Sequence, residues 1–297
     1  MSSIHTIIVN YNSGDWLSRC LRSVLSFTTG SITVVDNAST DLSINTAQNE
    51  FAAESRLQWL LNQQNLGFAA ANNQVLSKLD TEFALLLNPD CEINKDTVNL
   101  MLQAFKQQPK LGLASCLIYN EDGSVQATCR RRFPTPWTAL VRILQLHRLF
   151  PENPKFANFD YGELSLNESN SELVVENIEA ISGAFMMVRC QALSDVGLLD
   201  DDYFMHCEDL DWCKRFEQSD WNVGFVSAAS VMHAKGVSSL SRPIKVLWNL
   251  HQGMNRFFNK HYYHDYPWWL RTLVKLGIVA SFLVRSVVNV IKRLVPA

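Results

Sequence analysis

The sequence predicts an α/β fold with a helical extension at its C-terminal end. Short apolar runs rich in β-branched residues alternate with helical patterns through about the first 120 residues. That alternation is typical of parallel strands joined by helical crossovers. Polar residues follow several of these runs, and the last 30 residues combine apolar residues at helical spacing with basic ones. With 47% hydrophobic and 19% charged residues, the 297-residue chain can bury a full core.

The predicted strands are short and evenly distributed. In the first of the intervening helices, Leu17, Leu21 and Val24 recur at a spacing that lays one apolar face on the sheet. Irregular loops are expected over residues 121–179, and a strand-like run over 178–189 follows them. The predicted strands of the first part cover residues 6–9, 32–35, 57–61, 83–87 and 111–117, with helical segments at 68–78 and 94–107.

Polar residues directly follow four of these apolar runs. They are residues 10–12, Asp36 with Asn37, residues 62–65, and residues 88–90. Ligands of open α/β sheets bind beyond the carboxyl ends of the strands, so these residues are expected to face one crevice. Asn and Asp also end strands because they favour turns, and each position keeps that alternative.

Three carboxylates, Glu208, Asp209 and Asp211, lie at the start of a predicted helix. Acidic residues in a first helical turn also complement the helix dipole, which is the structural alternative. Aromatic neighbours such as Trp212 indicate burial, and burial beside another carboxylate raises a pKa toward the range of a general base. Arg189 or Arg215 could pair with these carboxylates, and a purely structural ion pair is the equal alternative.

Charge and cysteine content narrow the class of partner and the compartment. A net charge of −3 gives no field that would attract nucleic acid. The seven cysteines show no metal-finger spacing and several lie in apolar runs, as expected of buried thiols in a reducing compartment. The first residues have no signal-peptide pattern, so the chain is expected to face the cytoplasm.

Several motifs in order resemble the family 2 glycosyltransferases of the GT-A fold, and most closely their bacterial rhamnosyltransferase-like branch. Each fragment is weak alone, but their order and spacing over residues 4–240 are specific. The fragments are Val-Asn-Tyr-Asn-Ser at 9–13, Val-Val-Asp-Asn-Ala-Ser-Thr-Asp at 34–41, Asn-Leu-Gly-Phe-Ala at 65–69, Leu-Asn-Pro-Asp at 87–90, Ser-Gly-Ala-Phe-Met-Met-Val-Arg at 182–189, Val-Gly-Leu-Leu-Asp at 196–200, Phe-Met-His-Cys-Glu-Asp-Leu-Asp at 204–211, and His233.

The resemblance implies a domain plan. A single Rossmann-like GT-A domain with a mixed central sheet is expected over residues 1–240, followed by a helical extension over 241–297. Within the domain, residues 1–115 would form the nucleotide-sugar-binding half and 116–240 the acceptor-binding half. The alternative enzyme class is a sugar-nucleotide pyrophosphorylase or nucleotidyltransferase. Such enzymes tend to have a glycine-rich phosphate loop after the first strand, and the single glycine in this loop disfavours that class. A sugar-binding or membrane scaffold module that has lost catalysis would be expected to lack Asp90, Asp209 and His233, and this sequence has all three.

The resemblance also implies a donor site. Tyr11 would lie near the base or ribose, and Asp36, beside Asn37, would accept a hydrogen bond from a pyrimidine. The alternative for Asp36 is a strand-end cap with Ser39. The donor-lining segment would contain Asn65, Gly67 and Phe68, although an ordinary asparagine cap of the following helix explains Asn65 equally well.

A metal site is implied as well. Residues 88–90 occupy the place of the family's Asp-X-Asp motif, with Asn88 replacing the first Asp. Asp90 would be the main ligand of Mn²⁺ or Mg²⁺, bridging the cation to the diphosphate oxygens. His233 matches a position that can complete the metal shell, and an imidazole ligand favours Mn²⁺. A structural role is the alternative for a lone histidine.

The implied reaction is an inverting, hexosyltransferase-class sugar transfer. Asp209 is the predicted base for the acceptor hydroxyl, Glu208 is its competitor, and Asp211 would support them. The expected donor is a nucleoside diphosphate sugar, with L-rhamnose from dTDP-rhamnose favoured by the resemblance alone. The expected acceptor is lipid-linked or a glycan, in the synthesis of a cell-surface, O-antigen-like polysaccharide or lipopolysaccharide.

The C-terminal segment predicts a basic amphipathic helix. Arg271, Lys275, Arg285, Lys292 and Arg293 alternate with apolar residues from 268 onward, without an acidic residue. Only nine uncharged residues separate Lys275 from Arg285, which favours a helix lying in the interface over one spanning the bilayer. The expectation is a peripheral enzyme on anionic lipid at the cytoplasmic face of the inner membrane. The alternative is packing on the catalytic domain or on a second subunit, as a homodimer.

Overall fold

The computed structural model describes residues 3–150, 153–156, 173–234 and 243–294. Strands and helices alternate through the first 119 residues, as the apolar runs predict. Every predicted strand in this part is present within one or two residues. The elements are β1 (Ile4–Asn10), α1 (Trp16–Phe27), β2 (Ser31–Asp36), α2 (Ser43–Glu50), β3 (Leu57–Leu61), α3 (Phe68–Leu76), β4 (Phe83–Leu87), β5 (Cys91–Ile93), α4 (Thr97–Gln107) and β6 (Leu111–Tyr119).

The second part is less regular. It contributes the strands that complete the sheet and the acidic helix α8. Its elements are β7 (Arg130–Arg131), α5 (Pro136–Ile143), α6 (Leu146–Leu149), β8 (Val175–Asn177), β9 (Ala180–Ile181), β10 (Phe185–Arg189), α7 (Leu193–Val196), α8 (Glu208–Gln218) and β11 (Asn222–His233), followed by α9 (Pro243–His261) and α10 (Trp268–Leu294).

The central sheet is mixed, which confirms the fold that the motifs imply. In the described part of the chain it has nine strands, ordered β3-β2-β1-β4-β10-β6-β11-β5, with β8 on β11. Strands β3, β2, β1 and β4 are parallel, and β10 inserts antiparallel between β4 and β6. The carboxyl ends of β1, β2 and β4 therefore open on one edge, and the amino end of β10 lies beside the end of β4 at the same edge.

Apolar faces hold the helices on the sheet. In α1, Leu17, Leu21 and Val24 are fully buried, as their spacing predicts. Strands β1, β2 and β4 are buried almost throughout, as is usual for parallel strands covered on both faces. The long strand β11 pairs with β6, β5 and β8 and delivers His233 at its last position. The core thus fixes the strand ends that carry the polar residues.

The C-terminal extension is a pair of helices. The 27-residue helix α10 is about 40 Å long and packs along α9, where Trp248 and His251 contact the ring of Phe282. Trp268–Ile291 is long and apolar enough to cross a membrane, with a mean hydropathy of 1.8 and none of it buried in the protein. This property concerns length and composition alone, and the predicted position of the helix in the interface stays a prediction. The predicted domain boundary at residue 240 lies outside the described residues.

Candidate active site

The first wall of the crevice forms where β1 and β2 end side by side. The Asn10 side chain donates to Asp36 Oδ1 at 2.8 Å, and the backbone N–H and hydroxyl of Ser39 donate to the two oxygens of Asp36. Asp36 and Asn37 are buried, whereas Tyr11 is half-buried on the loop after β1. The strand-end cap between Asp36 and Ser39 is therefore present. Its hydrogen bonds hold the carboxylate rigid, and binding of a nucleotide by Asp36 stays a prediction.

The predicted donor segment is held by backbone contacts at Gly67. Asn65 Oδ1 accepts from the Gly67 N–H at 2.9 Å, and the Asn37 amide donates to the Gly67 carbonyl at 3.0 Å. Gly67 has φ +86°, and a Cβ there would lie 2.4 Å from the carbonyl oxygen of Phe204. Phe68 N–H donates to that same oxygen at 3.0 Å, so α3 begins against the loop that precedes α8. Only glycine fits this close approach.

The turn after β4 holds Asp90 next to His233. Asn88 N–H donates to the Ala184 carbonyl at 2.9 Å, and Cys91 N–H donates to the Asn88 carbonyl at 3.1 Å. This turn leaves Asn88 half-buried and Asp90 buried, with Asp90 Oδ1 3.2 Å from His233 Nε2. The structure thus brings together two residues that are 143 positions apart in the sequence, as the metal prediction requires.

Gln126 orients the imidazole of His233. Its Oε1 lies 3.2 Å from His233 Nδ1, and its Nε2 donates to the His233 carbonyl at 2.9 Å. When Nδ1 carries the proton toward Gln126, Nε2 presents its lone pair toward Asp90. A second partner of this kind is the usual support of a metal-ligating histidine. Gln126 lies in the irregular region, where its neighbours gave no signal.

The donor set fits a divalent cation bound together with a diphosphate. Ligand atoms of Asp90, Cys91 and His233 all lie within 4.8 Å of one another. Burial raises the pKa of the Cys91 thiol well above its usual value, and the thiol donates to the Ala184 carbonyl. The carboxylate and the imidazole remain as ligands. This oxygen and nitrogen pair suits Mn²⁺ or Mg²⁺, with diphosphate oxygens completing the shell.

Asp209 is bound by an arginine that the sequence reasoning missed. Arg131 Nη2 donates to Asp209 Oδ2 at 2.5 Å, and the Gly183 N–H donates to the same oxygen at 3.0 Å. Both side chains are almost fully enclosed. His206 and Cys207, directly before α8, have φ near +70°, which turns the chain sharply into the helix. The strained bend and the ion pair together fix the position of Asp209.

Glu208 lies in a different environment from its neighbour. Its side chain is buried, and its Oε2 has no hydrogen-bond partner among the described residues. Burial, and next the negative charge of Asp209, raise the pKa of Glu208 to about 8. Glu208 is therefore mainly protonated at neutral pH, whereas Asp209 has a cation to balance its charge. The ionised population of Glu208 is therefore small at neutral pH, and the choice of Asp209 as the base, with Glu208 as its competitor, stays a prediction.

Asp211 connects α8 to α9. It is completely buried and accepts from Arg215 at 2.9 Å, from Lys260 at 2.8 Å and from His261 at 2.8 Å. Burial alone would raise its pKa, but the hydrogen bonds from His261 and Lys260, with the charge of Arg215, lower it to about 2. Arg215 is thus a correct ion-pair prediction. A supporting role of Asp211 in the site would act through the position of α8.

The other predicted arginine partner is wrong. Arg189 donates to the carbonyl oxygens of Leu111 and Phe105 and lies against the rings of Phe83 and Phe105. It therefore ties β10 to α4 and β6, far along the strand from Gly183. The sequence placed it correctly at the end of the strand but gave no information on which end faces the acidic helix.

Two consecutive residues, Gly183 and Ala184, join the Asn88–Asp90 turn to the start of α8. Gly183 N–H donates to Asp209, and the Ala184 carbonyl accepts from Asn88 N–H and the Cys91 thiol. Asp209 and the Asn88–Asp90 turn therefore lie on either side of one short connection between β9 and β10.

The chain matches the model of glycosyl transferase family 2 over residues 6–197. The protein belongs to glycosyl transferase family 2. It is a glycosyltransferase, and its mixed sheet is the GT-A arrangement that the motifs imply.

Curated relatives and a solved structure agree with this assignment. The chain is 26% identical to the N-acetylglucosaminyl-diphospho-decaprenol L-rhamnosyltransferase of Mycobacterium tuberculosis, over 94% of this glycosyltransferase and 90% of that protein. It is 24% identical to the rhamnosyltransferase WbbL of Escherichia coli, over 52% of this chain and 53% of that one. The crystal structure of GalNAc-T7 with UDP, GalNAc and Mn²⁺ superposes with a TM-score of 0.63 at 15% identity, over 87% of this chain and 48% of that chain.

Proposed function

We propose that this glycosyltransferase is a divalent-metal-dependent, inverting enzyme that transfers L-rhamnose from dTDP-rhamnose to a sugar carried on a lipid diphosphate. The observation that carries the metal and base assignments is the pair of contacts at Gly183 and Ala184. Through them Asp209 and the Asn88–Asp90 turn are held on either side of the short connection between β9 and β10. That arrangement suits a reaction in which one side holds the departing diphosphate and the other accepts a proton.

Each predicted residue has a task in this proposal. Asp36 and Tyr11 would bind the nucleoside, and the Asn65–Phe68 segment would line the sugar. Asp90 and His233, with Asn88 nearby, would hold Mn²⁺ or Mg²⁺, which when bound offsets the negative charge of the diphosphate. Asp209, with the Arg131 charge beside it, takes the proton of the acceptor hydroxyl. The hydroxyl attacks the anomeric carbon opposite the leaving diphosphate, which inverts the configuration.

The rhamnosyl donor and the lipid acceptor are proposed from the relatives. The mycobacterial relative is named for rhamnose transfer to a diphospho-decaprenol substrate and aligns along nearly the whole chain. The helix α10, long and apolar, gives this chain a means of staying at a membrane where such an acceptor lies. The context proposed is assembly of a cell-surface polysaccharide at the cytoplasmic face of the membrane.

The test is a transfer assay with the full-length protein in detergent. A synthetic N-acetylglucosaminyl-diphospho-polyprenol is offered with dTDP-rhamnose, UDP-GlcNAc or GDP-mannose, with Mn²⁺, with Mg²⁺ or with EDTA. Product mass and released nucleotide are measured. The expected result is a deoxyhexose addition and dTDP release that require the metal. Transfer that is unaffected by EDTA would contradict the metal assignment, and transfer from another donor only would contradict the sugar.

The same assay distinguishes a sugar-nucleotide pyrophosphorylase, which is not favoured by the family assignment. A pyrophosphorylase joins a sugar 1-phosphate to a nucleoside triphosphate and releases pyrophosphate, whereas a glycosyltransferase releases a nucleoside diphosphate. Asp209→Asn is the matched variant, because it keeps the size of the side chain and removes its basicity. Loss of transfer with retained binding of dTDP is expected. Full activity of Asp209→Asn would transfer the base assignment to another residue.

A further inference from the structure

A second exposed apolar surface lies on α5 and α6, far along the chain from the C-terminal helices. In α5–α6 the side chain of Val141 is buried and Leu146 is half-buried, whereas six other large apolar side chains of this segment are exposed. Ile143 is 76% exposed. We define the α5–α6 surface by its exposed members, Trp137, Leu140, Ile143, Leu144, Leu149 and Phe150. Contiguous exposed apolar residues of this kind mark a contact surface in a soluble or peripheral protein.

The segment that carries this surface is held in place by a helix cap and by side-chain contacts. Thr135 caps the start of α5 through a reciprocal capping box with Thr138, and Pro136 occupies the first turn. The Trp137 indole N–H donates to the Lys155 carbonyl at 2.7 Å. Phe156 contacts the rings of Trp137 and Phe150, so the short stretch 153–156 braces both helices. The apolar side chains are therefore presented by a defined scaffold.

Charge identifies the partner as an anionic lipid surface. Arg142 and Arg148 are exposed among the apolar side chains, and the sequence has no acidic residue from Arg130 to Pro151. A short helix with tryptophan, leucine and isoleucine on one side and arginine at its rim is the pattern of an interfacial membrane helix. Arginine is attracted to anionic headgroups, and tryptophan favours the boundary between headgroups and chains.

The position of the surface relative to the active site fits a lipid-borne substrate. Arg131, which binds Asp209, lies five residues before Pro136, a separation of at most roughly 18 Å of extended chain. Between them Phe133 stacks on Phe257 of α9. A cavity of about 340 Å³ opens at the start of α5, lined by Arg132, Phe133, Thr135, Trp137, Thr138, Lys155 and Glu179.

We infer that the α5–α6 surface lies on the anionic membrane and forms a second contact there, separate from α10, beside the entrance for the acceptor. The apolar side chains would enter the headgroup boundary, with Arg142 and Arg148 on the phosphates. The acceptor lipid would then leave the bilayer next to the chain segment that ends at Arg131. The inference rests on the proposed lipid-linked acceptor for its purpose, but its test reads membrane contact and not transfer.

Site-specific labels separate this contact from binding by α10. An environment-sensitive NBD fluorophore is attached at Ile143→Cys, and at Leu42→Cys as a matched control that is 73% exposed on the nucleotide-binding half. The labelled wild type corrects for the native cysteines, six of which are buried. Full-length protein is mixed with vesicles of phosphatidylcholine, with or without phosphatidylglycerol. Quenching of NBD by a nitroxide on the lipid chains is then measured.

The expected result is quenching at residue 143 and none at residue 42, with the larger effect in phosphatidylglycerol vesicles. Replacing Arg142 and Arg148 with glutamine should lower the partition of the label into these vesicles about fivefold per arginine. Residue 143 remaining unquenched while the protein floats with the vesicles would overturn the inference. An NBD signal at residue 143 that reports an apolar environment without vesicles, and that rises with protein concentration, would also overturn the inference. In that case a second copy of the chain would cover the surface.

Discussion

The carboxyl group of Glu208, at the start of α8, should titrate well above its ordinary range, and Glu208→Gln tests this shift. Burial and the neighbouring charge of Asp209 raise the pKa of Glu208 from 4.5 to about 8. Below pH 4.5 the carboxyl is protonated in both the folded and the unfolded chain. Between pH 4.5 and 8 the unfolded chain ionises while the folded one keeps its proton. The free energy of unfolding therefore falls as the pH rises through this window, and above pH 8 the loss is complete.

The size of the effect follows from the shift. Each pH unit inside the window removes up to about 1.4 kcal/mol, so wild type should lose roughly 5 kcal/mol between its two limits. The glutamine side chain of Glu208→Gln does not ionise in the folded or the unfolded chain, so the variant should not show this loss. For a chain of this size about 1 kcal/mol corresponds to about 2 to 4 °C in melting temperature. The variant should therefore melt roughly 10 °C or more above wild type at pH 8 and close to it at pH 4.5.

The assay is thermal unfolding in detergent, followed by intrinsic fluorescence at intervals from pH 4.5 to 8.5. Glu217→Gln is the matched control, because it makes the same change on the same helix at a side chain that is 55% exposed. Its melting curve should follow the pH dependence of wild type. Parallel pH profiles for wild type and Glu208→Gln would refute the argument that Glu208 is neutral at pH 7. The choice of Asp209 as the base would then lose its main electrostatic support.

Three further predictions concern contacts around the site. Arg131→Gln should lower kcat by about 10²-fold or more with a smaller change in KM for the donor, because it leaves Asp209 without its cation; equal kcat for variant and wild type would contradict this. Gln126→Leu should weaken Mn²⁺ activation about 10- to 100-fold, read as the metal concentration at half-maximal rate; an unchanged value would show that Gln126 does not orient His233. Gly67→Ala should lower the free energy of unfolding by about 1 to 3 kcal/mol in urea titrations, since φ is positive and Cβ meets Phe204; wild-type stability would contradict that reading.

The strands of the first half could be predicted closely because periodicity is a local property of the sequence. The apolar runs that end at Asp36 and before Asn88 are buried parallel strands, and their polar ends meet at one edge. The antiparallel insertion of β10 between β4 and β6 was different. Its run 178–189 shows a strand, but pairing direction depends on which distant strands have free edges, and the resemblance to the GT-A fold supplied that information.

The C-terminal extension shows that a helical pattern can be predicted correctly while the position of the helix relative to a membrane is not determined. A basic amphipathic helix is predicted after residue 268, and the structure has a 27-residue helix there that packs on α9. Charge spacing alone made the segment look too short to span a membrane. The helical continuity across Arg271, Lys275 and Arg285 is what makes a span of 24 residues available by length and composition. Whether a charge interrupts such a span depends on where it lies along the helix.

Arg131 shows most clearly where local reasoning ends. Its sequence neighbours, Arg130 and Arg132, suggest a basic surface patch, yet the side chain is enclosed beside Asp209, which is 78 positions away. Nothing near either residue signals the pair, because it depends on the pairing of Arg131 with Ala180 of β9 and on Gly183, just after β9, which donates to the same carboxylate oxygen. A buried carboxylate needs either a proton or a cation. The requirement for one such partner was therefore predictable from the acidic cluster at α8, and the fold decides that Asp209 receives the cation while Glu208 keeps the proton.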